Sequence, residues 1–477
     1  MSVRRDQVDA QRYVNRRLVN ALLTSDPNAA ESPLRSLGRA VIASCVIGAL
    51  IVVAFLAYGF VRKGGNTEWR TEGAVVVVDE TGTRYVYLSG RLHPVVNYTS
   101  ALLIAGSSDS VFHVSENSIA STARGAPLGI LGAPDAVPPV DSLVHGAWTS
   151  CTADVRDNTG SLVPVVRVGP GVPPASHVLA PDEAVLVDVD GADQLIWAGG
   201  RWPIDNTATV LTSFNQPTAN AVTVGTAWAD ALGATGGRVA LPVLPTFGDA
   251  TVDVAGEAAR VGQVYVVAVT GVAQYYLALP DGLMSISETV AALALGDPRS
   301  GALYPGRPKA ISISPADVNA AGLSTESPIA PTLPPNVPTL VNADLGATSA
   351  LCASYQVVEG TITATVFIAD GLSLQQTQPV TSDTDVDFAV ADAVAINPST
   401  GALVQAATPD GGRTGTVYVV TDAGRKFPVA SSTALAALGY GDTTPDLLPK
   451  ALLDSVPTGP SLDEDAARTE TGVEAGG

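Results

Sequence analysis

Ala40 to Val61 reads AVIASCVIGALIVVAFLAYGFV, 22 consecutive residues without a charge. At about 1.5 Å per residue, a helix of this length crosses a hydrocarbon core of about 30 Å. Arg39 closes the stretch on one side, and Arg62 and Lys63 close it on the other. A cleaved signal peptide would begin near the first residue and carry a shorter apolar run, whereas here a polar segment of 39 residues comes first. The stretch therefore reads as a retained single-pass anchor.

Charge orients that anchor. Residues 1–39 carry seven arginines (Arg4, Arg5, Arg12, Arg16, Arg17, Arg35, Arg39) against Asp6, Asp9, Asp26 and Glu31, a net of +3, and everything beyond sums to -23. The positive-inside rule then puts the N-terminus in the cytoplasm and the large remainder on the far side. Arg62 and Lys63 weaken the local contrast without reversing the count over the whole segment. Within the tail, Val8, Val14, Leu18, Ala21 and Leu22 recur at spacings that one side of a helix brings together. A short helix docking on a partner subunit at the cytoplasmic surface is expected. An arginine-rich helix lying on anionic lipid is the other reading.

The full chain of 477 residues is 46% hydrophobic and 15% charged, so it can build ordered cores despite a net charge of -20. With 46 glycines, 34 prolines and few aromatics, it suits short strands and many turns. The expected class is α+β and β-rich. Acidity excludes nucleic acid as the main partner, because phosphate binding needs clustered cations. The only lysines are Lys63, Lys309, Lys426 and Lys450.

Four segments beyond the anchor share one pattern: an extended run, a glycine turn, a second short strand often ending in Pro-Val or Pro-Ile, and a capped helix. The first is Tyr85–Leu88, Ser89-Gly90, Arg91–Val95, then Asn97 ahead of Ser100–Ile104. The second runs Gln194–Trp197, Gly199-Gly200, Arg201–Ile204, with Asp205 or Asn206 as cap. In the third, Tyr275–Leu279 turns through Pro280-Asp281-Gly282 into Leu283–Ile286, and Ser285 and Glu288 have capping-box spacing. The fourth is Val417–Val420, Asp422-Ala-Gly424, Arg425–Val429, with Ser431 or Ser432 before Ala434–Leu438. Glycine supplies the positive φ that such hairpins need. A lone hairpin with one helix cannot bury its apolar face, so the units must pack on one another or on a common core. Their uneven spacing rules against a regular solenoid.

The order of repeats and inserts is nearly palindromic, as two related halves would give. Each half holds a strand–turn–strand that starts at a cysteine: Trp148–Val155 with Leu162–Val168, and Ser349–Val357 with Thr361–Ile368. The expected division is tail 1–39, transmembrane helix 40–61, repeat 62–105, core 106–180, repeats 181–230 and 231–297, core 298–410, repeat 411–463, and a disordered tail 464–477. Cys45 lies inside the apolar run, leaving Cys151 and Cys352 as the outer thiols. If the far side is oxidising, a bond between them closes a loop of about 200 residues, worth on the order of 5 kcal/mol in the chain-entropy model. Two separate buried thiols are the alternative. The bond is the expectation, because the two cysteines start matching strand pairs.

Catalytic signatures are missing from the sequence. None of the four lysines follows a glycine, so there is no phosphate loop. His93, His113, His145 and His177 lack metal-protease spacing, and neither a nucleophile elbow nor an S-x-x-K dyad occurs. Asp383-Thr-Asp385-Val-Asp387 begins like a calcium loop, but Phe388 stands where glycine is needed and Val394 where the bidentate glutamate belongs. Asp188, Asp190, Gly191 and Asp193 read as a plain turn. Of the scattered cations, Arg84, Arg91, Arg201, Arg425 and Lys426 are the ones that could converge on a phosphate. No catalytic residue, metal or cofactor is expected.

Several blocks, in order along the whole chain, resemble the EccB family, the single-pass core component of actinobacterial type VII (ESX) secretion. They are Gln11–Arg17 with Ala21–Leu23; Arg91–Asn97 with Ser100-Ala101; Gly129–Asp135 with Pro138, Trp148 and Cys151; and Ala436–Gly441 with Pro457–Leu462. The resemblance implies a structural subunit of an inner-membrane complex, cytoplasmic at its N-terminus and periplasmic in its large domain. It also implies assembly with EccC, EccD and EccE, self-association, an elongated outer domain with a β core and peripheral repeats, and one disulfide. Two alternatives come with it. The repeats resemble small cell-wall-binding modules, and ATP hydrolysis is attached to some members.

Overall fold

The computed structural model describes residues 3–24, 33–61 and 67–471, apart from 108–109, 157–158, 234–236, 245, 270, 327–332, 343–344, 347, 359–360, 373–388 and 409–411. Arg62, Lys63 and the Asp383–Asp387 motif lie outside the described residues. Two helices open the chain, Val3–Thr24 and Pro33–Val61. The five apolar tail residues all fall on the first helix, where Val8, Val14, Leu18 and Leu22 are exposed. The second begins upstream of the uncharged stretch, because Pro33 is well suited to the first helical turn. Its apolar part runs Gly38–Tyr58.

Each repeat is larger than a hairpin with a helix. It is a sheet in which a strand before the hairpin pairs antiparallel with it, and a strand after the helix returns parallel to that first strand. Unit 1 is built from Val75–Val78, Arg84–Leu88, Arg91–Pro94 and Val111–Val114. Units 2, 3 and 4 repeat this order around their own hairpins. Four valines at 75–78 are β-branched and fit a pleated, buried surface. Turn chemistry sets the hairpins: Ser89 and Gly90 both have positive φ, 51° and 78°, as do Ala198 and Gly199 at 50° and 74°. Two successive left-handed residues match the right-handed twist of the flanking strands.

These added opening and returning strands carry the units past the expected borders. Val111–Val114 lies beyond residue 105, Ile311–Ser312 beyond 297, and Gly401–Ala407 before 411. Two smaller expectations also change. The third helix is capped by Ser287, whose hydroxyl accepts from Val290 N, while Ser285 stays in its strand and meets Gln274. The expected disordered tail is structured over its described residues: Asp463 caps a helix over Glu464–Ala467, and Thr471 N donates to Pro127 O at 2.9 Å. Its acidic first turn suits a helix N-terminus.

Between the units lies a six-stranded sheet. Its centre is Trp148–Arg156 against Ser349–Val358, antiparallel, with Cys151 directly opposite Cys352. Leu162–Pro170 and Thr361–Asp370 flank this pair. On one face Trp148, Val166, Leu351 and Ile368 pack with Trp228, from the helix after unit 2, and with Leu452 and Leu453, from the helix after unit 4. Alternate residues put Cys151, Cys352 and Phe367 in a separate buried cluster. Units 1 and 4 share a core in which Leu103 and Ile104 meet Phe427, Leu438 and Leu462. Units 2 and 3 meet where Leu293 joins Trp197, Trp202 and Phe214.

Candidate functional site

Three features could carry function: the anchor, the cysteine junction and the cations. The Gly38–Tyr58 segment has 21 residues, a rise of about 32 Å in helical form, which matches a bilayer core. Its one hydroxyl-bearing serine is satisfied internally, Ser44 Oγ donating to Ala40 O at 2.7 Å. That arrangement hides a polar group from lipid. Arg39 is exposed at the tail-side end.

At the junction the structure joins Cys151 to Cys352, with Cα atoms 4.0 Å apart and a sequence separation of 201. The two residues face each other directly across the antiparallel ladder, which brings their side chains out side by side on one face. Since the two strands come from different halves, the bond fastens the centre of the domain where the halves meet. Nearby, Trp228 Nε1 donates to Ser150 O at 3.1 Å, holding the helix after unit 2 on the sheet. In unit 1, Asn97 has two roles: its Oδ1 accepts from Ser100 N and its Nδ2 donates to Ile130 O. It thereby ties the first capped helix to the Gly129–Asp135 block.

The cations that could have formed a phosphate cradle are each engaged locally. Arg84 pairs with Asp135 at 2.5 Å, Arg91 donates to Arg124 O at 3.4 Å, and Arg201 reaches Asp230 at 3.1 Å. Arg425 also has a partner. Lys426 departs most from the sequence reading. It is buried, and its Nζ donates to Leu453 O at 2.5 Å and Val456 O at 2.7 Å, with Asp454 O at 3.4 Å. These carbonyls end the helix Lys450–Asp454, where the helix dipole favours a cation. Burial nevertheless dominates and pulls its pKa down to about 8. Lys426 is thus a structural cap and presents no cation to solvent.

The histidines also engage local partners: His93 with Ala126 O, His113 with Asp79, His145 with Asp446 and His177 with Glu183. Asp188 accepts from Gly191 N, and Asp190 accepts from the Thr226 hydroxyl. Sequence reasoning found Asn97 as a cap but missed its tie to Ile130 O, and it missed Trp228 and the buried state of Lys426. For Lys426 a faint signal existed, because it sits two residues before the Pro-Val pair, as Arg201 does before Pro-Ile.

Residues 1–474 match the family described as type VII secretion system ESX-1, transport TM domain B. The chain is 30% identical to the ESX-3 secretion system ATPase EccB3 of Mycolicibacterium smegmatis, across 96% of this chain and 89% of the relative. Identity to the ESX-1 secretion system ATPase EccB1 of Mycobacterium tuberculosis is 28%, across 97% and 94%. Among solved structures, the EccB3 dimer of the ESX-3 core complex is similar with a TM-score of 0.65, 27% identity, and coverage of 83% of this chain and 100% of that one. The periplasmic assembly of the ESX-5 inner membrane complex gives 0.64 and 25%, covering 85% and 98%. With the match running almost end to end, this chain belongs to the EccB family of type VII secretion components.

Proposed function

We propose that this protein is a non-catalytic structural subunit of an ESX inner-membrane complex. It is anchored by Gly38–Tyr58, with its tail in the cytoplasm and its large domain in the periplasm. The observation that carries this reading is the coupling of one membrane-spanning helix to four interlocked sheet units around a disulfide-joined sheet. Such a body offers broad surfaces for assembly on a chain tethered to the membrane. Solved relatives include an EccB3 dimer and a periplasmic assembly of the ESX-5 inner membrane complex, which supports self-association and assembly with other secretion subunits; EccC, EccD and EccE are the partners proposed here. The exposed apolar residues of Val3–Thr24 support docking of the tail on a partner subunit, with a lipid surface as the competing site. Removing residues 1–30 abolishes complex assembly if the tail docks on protein.

ATP hydrolysis is the second reading, and it rests on the names that relatives carry. The cations above serve local partners, and a phosphoryl-transfer site needs several positioned on one phosphate chain. The test is detergent extraction of the tagged full chain with mass spectrometry of co-purifying proteins. Recovery of the other secretion subunits supports the structural role, and recovery of the chain alone refutes it.

A further inference from the structure

Arg167 is an unusual cation for an acidic protein. It lies directly across the ladder from Cys151, so both side chains leave the sheet on the same face. Together they line a cavity of about 260 Å³, walled also by Pro170, Val172, Pro173, Leu372 and Ala395. The wall is close-packed: a Cβ on Gly169 would collide with Ala395 O. Arg167 is half-buried, and among the described residues its guanidinium makes no hydrogen bond or ion pair. The nearby acids are otherwise occupied or turned away. Asp392 accepts from Val166 N at 2.7 Å, and Asp154, three residues from Cys151, belongs to the opposite face of the strand. Thr149, the other polar side chain on the cavity, donates its hydroxyl to Gly171 O.

A partly desolvated guanidinium with five donors and no acceptor is a costly group to leave unmatched. We infer that the cavity beside the Cys151–Cys352 bond binds a carboxylate carried on a small apolar group, with Arg167 as its cation. A phosphate dianion fits less well, because among the described residues Arg167 is the single cation on the cavity wall, in a protein of net charge -20. The apolar wall suits an aliphatic side chain next to the carboxylate. A peptide's C-terminal residue and an acidic side chain both present this chemistry.

Ligand-observed NMR on the full chain in detergent tests the inference. The probes are N-acetyl-L-leucine, its uncharged amide, and N-acetyl-glutamate N-methylamide, which separates a terminal from a side-chain carboxylate. At least one carboxylate binds, whereas the amide, or Arg167→Met with either carboxylate, binds about tenfold to a hundredfold more weakly, the loss expected for a charge-assisted bond. Arg167→Lys keeps part of the binding. Thiol labelling confined to Cys45 shows that each variant has folded with its disulfide. Equal binding of acid and amide, or of wild type and folded Arg167→Met, overturns the inference. Binding that appears only after Asp383, Asp385 and Asp387 are changed to asparagine also overturns it, because the occupant is then the chain's own carboxylate.

Discussion

Replacing Lys426 with methionine separates two effects that the structure sets against each other. The ammonium is desolvated, with its pKa lowered to about 8 from an ordinary 10.5. In the protonated state that difference costs about 3 kcal/mol of folding stability. The sign follows from proton counting: between pH 8 and 10.5 the unfolded chain binds the proton and the folded chain does not. Wild-type stability therefore rises with pH in that window, by about 2.5 kcal/mol between pH 7 and pH 10. The neutral amine keeps two N–H donors, enough for the short bonds to Leu453 O and Val456 O. Lys426→Met removes the charge and also both bonds, leaving two buried carbonyls unmet at roughly 1–3 kcal/mol each. At pH 7 these effects largely offset, and by pH 10 the variant falls behind wild type by about 2.5 kcal/mol more than at pH 7. Trp228 packs in the same cluster as Leu452 and Leu453, so its fluorescence reports the event in urea titrations of the detergent-solubilised chain. A penalty that stays constant or shrinks as pH rises refutes the reasoning.

Further outcomes follow from other parts of the fold. Thiol labelling of unreduced, denatured protein modifies Cys45 alone, and Cys352→Ser lowers the unfolding free energy from urea titration by an amount approaching 5 kcal/mol, the loop-closure value for about 200 residues. Asn97→Ala removes a cap and a tie to Ile130 O, and thermal unfolding should show a loss of about 1–3 kcal/mol. Gly296→Val drives a side chain into Ser213, whose Cα would lie 2.9 Å from the new Cβ. Proteolysis should then open the unit 2–unit 3 contact first, while the units 1 and 4 core survives. The purified chain releases no phosphate from ATP above buffer. If it does, Arg425→Ala is the informative variant, because Lys426 variants disturb the fold.

What was legible in the sequence was local. Twenty-two uncharged residues, the glycine turn at Ser89-Gly90, and caps at Asn97 and Ser431 each carry their signal within a few neighbours. The second turn falls on Ala198-Gly199, one residue before the expected Gly199-Gly200, because Gly200 already pairs with Trp197. The strands that complete each unit were less visible. Val75–Val78 and Gly401–Ala407 are apolar runs without alternation, because both of their faces are buried, and such runs do not announce their partners. Ser285 misled as a cap because spacing alone cannot say where a strand ends, and its strand runs on to Ile286. The cations misled most. Lys426 reads as a charge, and only the fold wraps three carbonyls around it. Arg167 attracted no notice, since a half-buried arginine that meets no partner among the described residues is defined wholly by tertiary surroundings.

The central claim is that the chain works as an assembled membrane subunit. Its most direct test is native electrophoresis and mass spectrometry of the tagged full chain extracted from its own membranes. The account predicts one large species containing several copies of the chain with the other secretion subunits, and the same species when Arg425 is replaced by alanine. A chain recovered alone, with ATP turnover that disappears in Arg425→Ala, would contradict it.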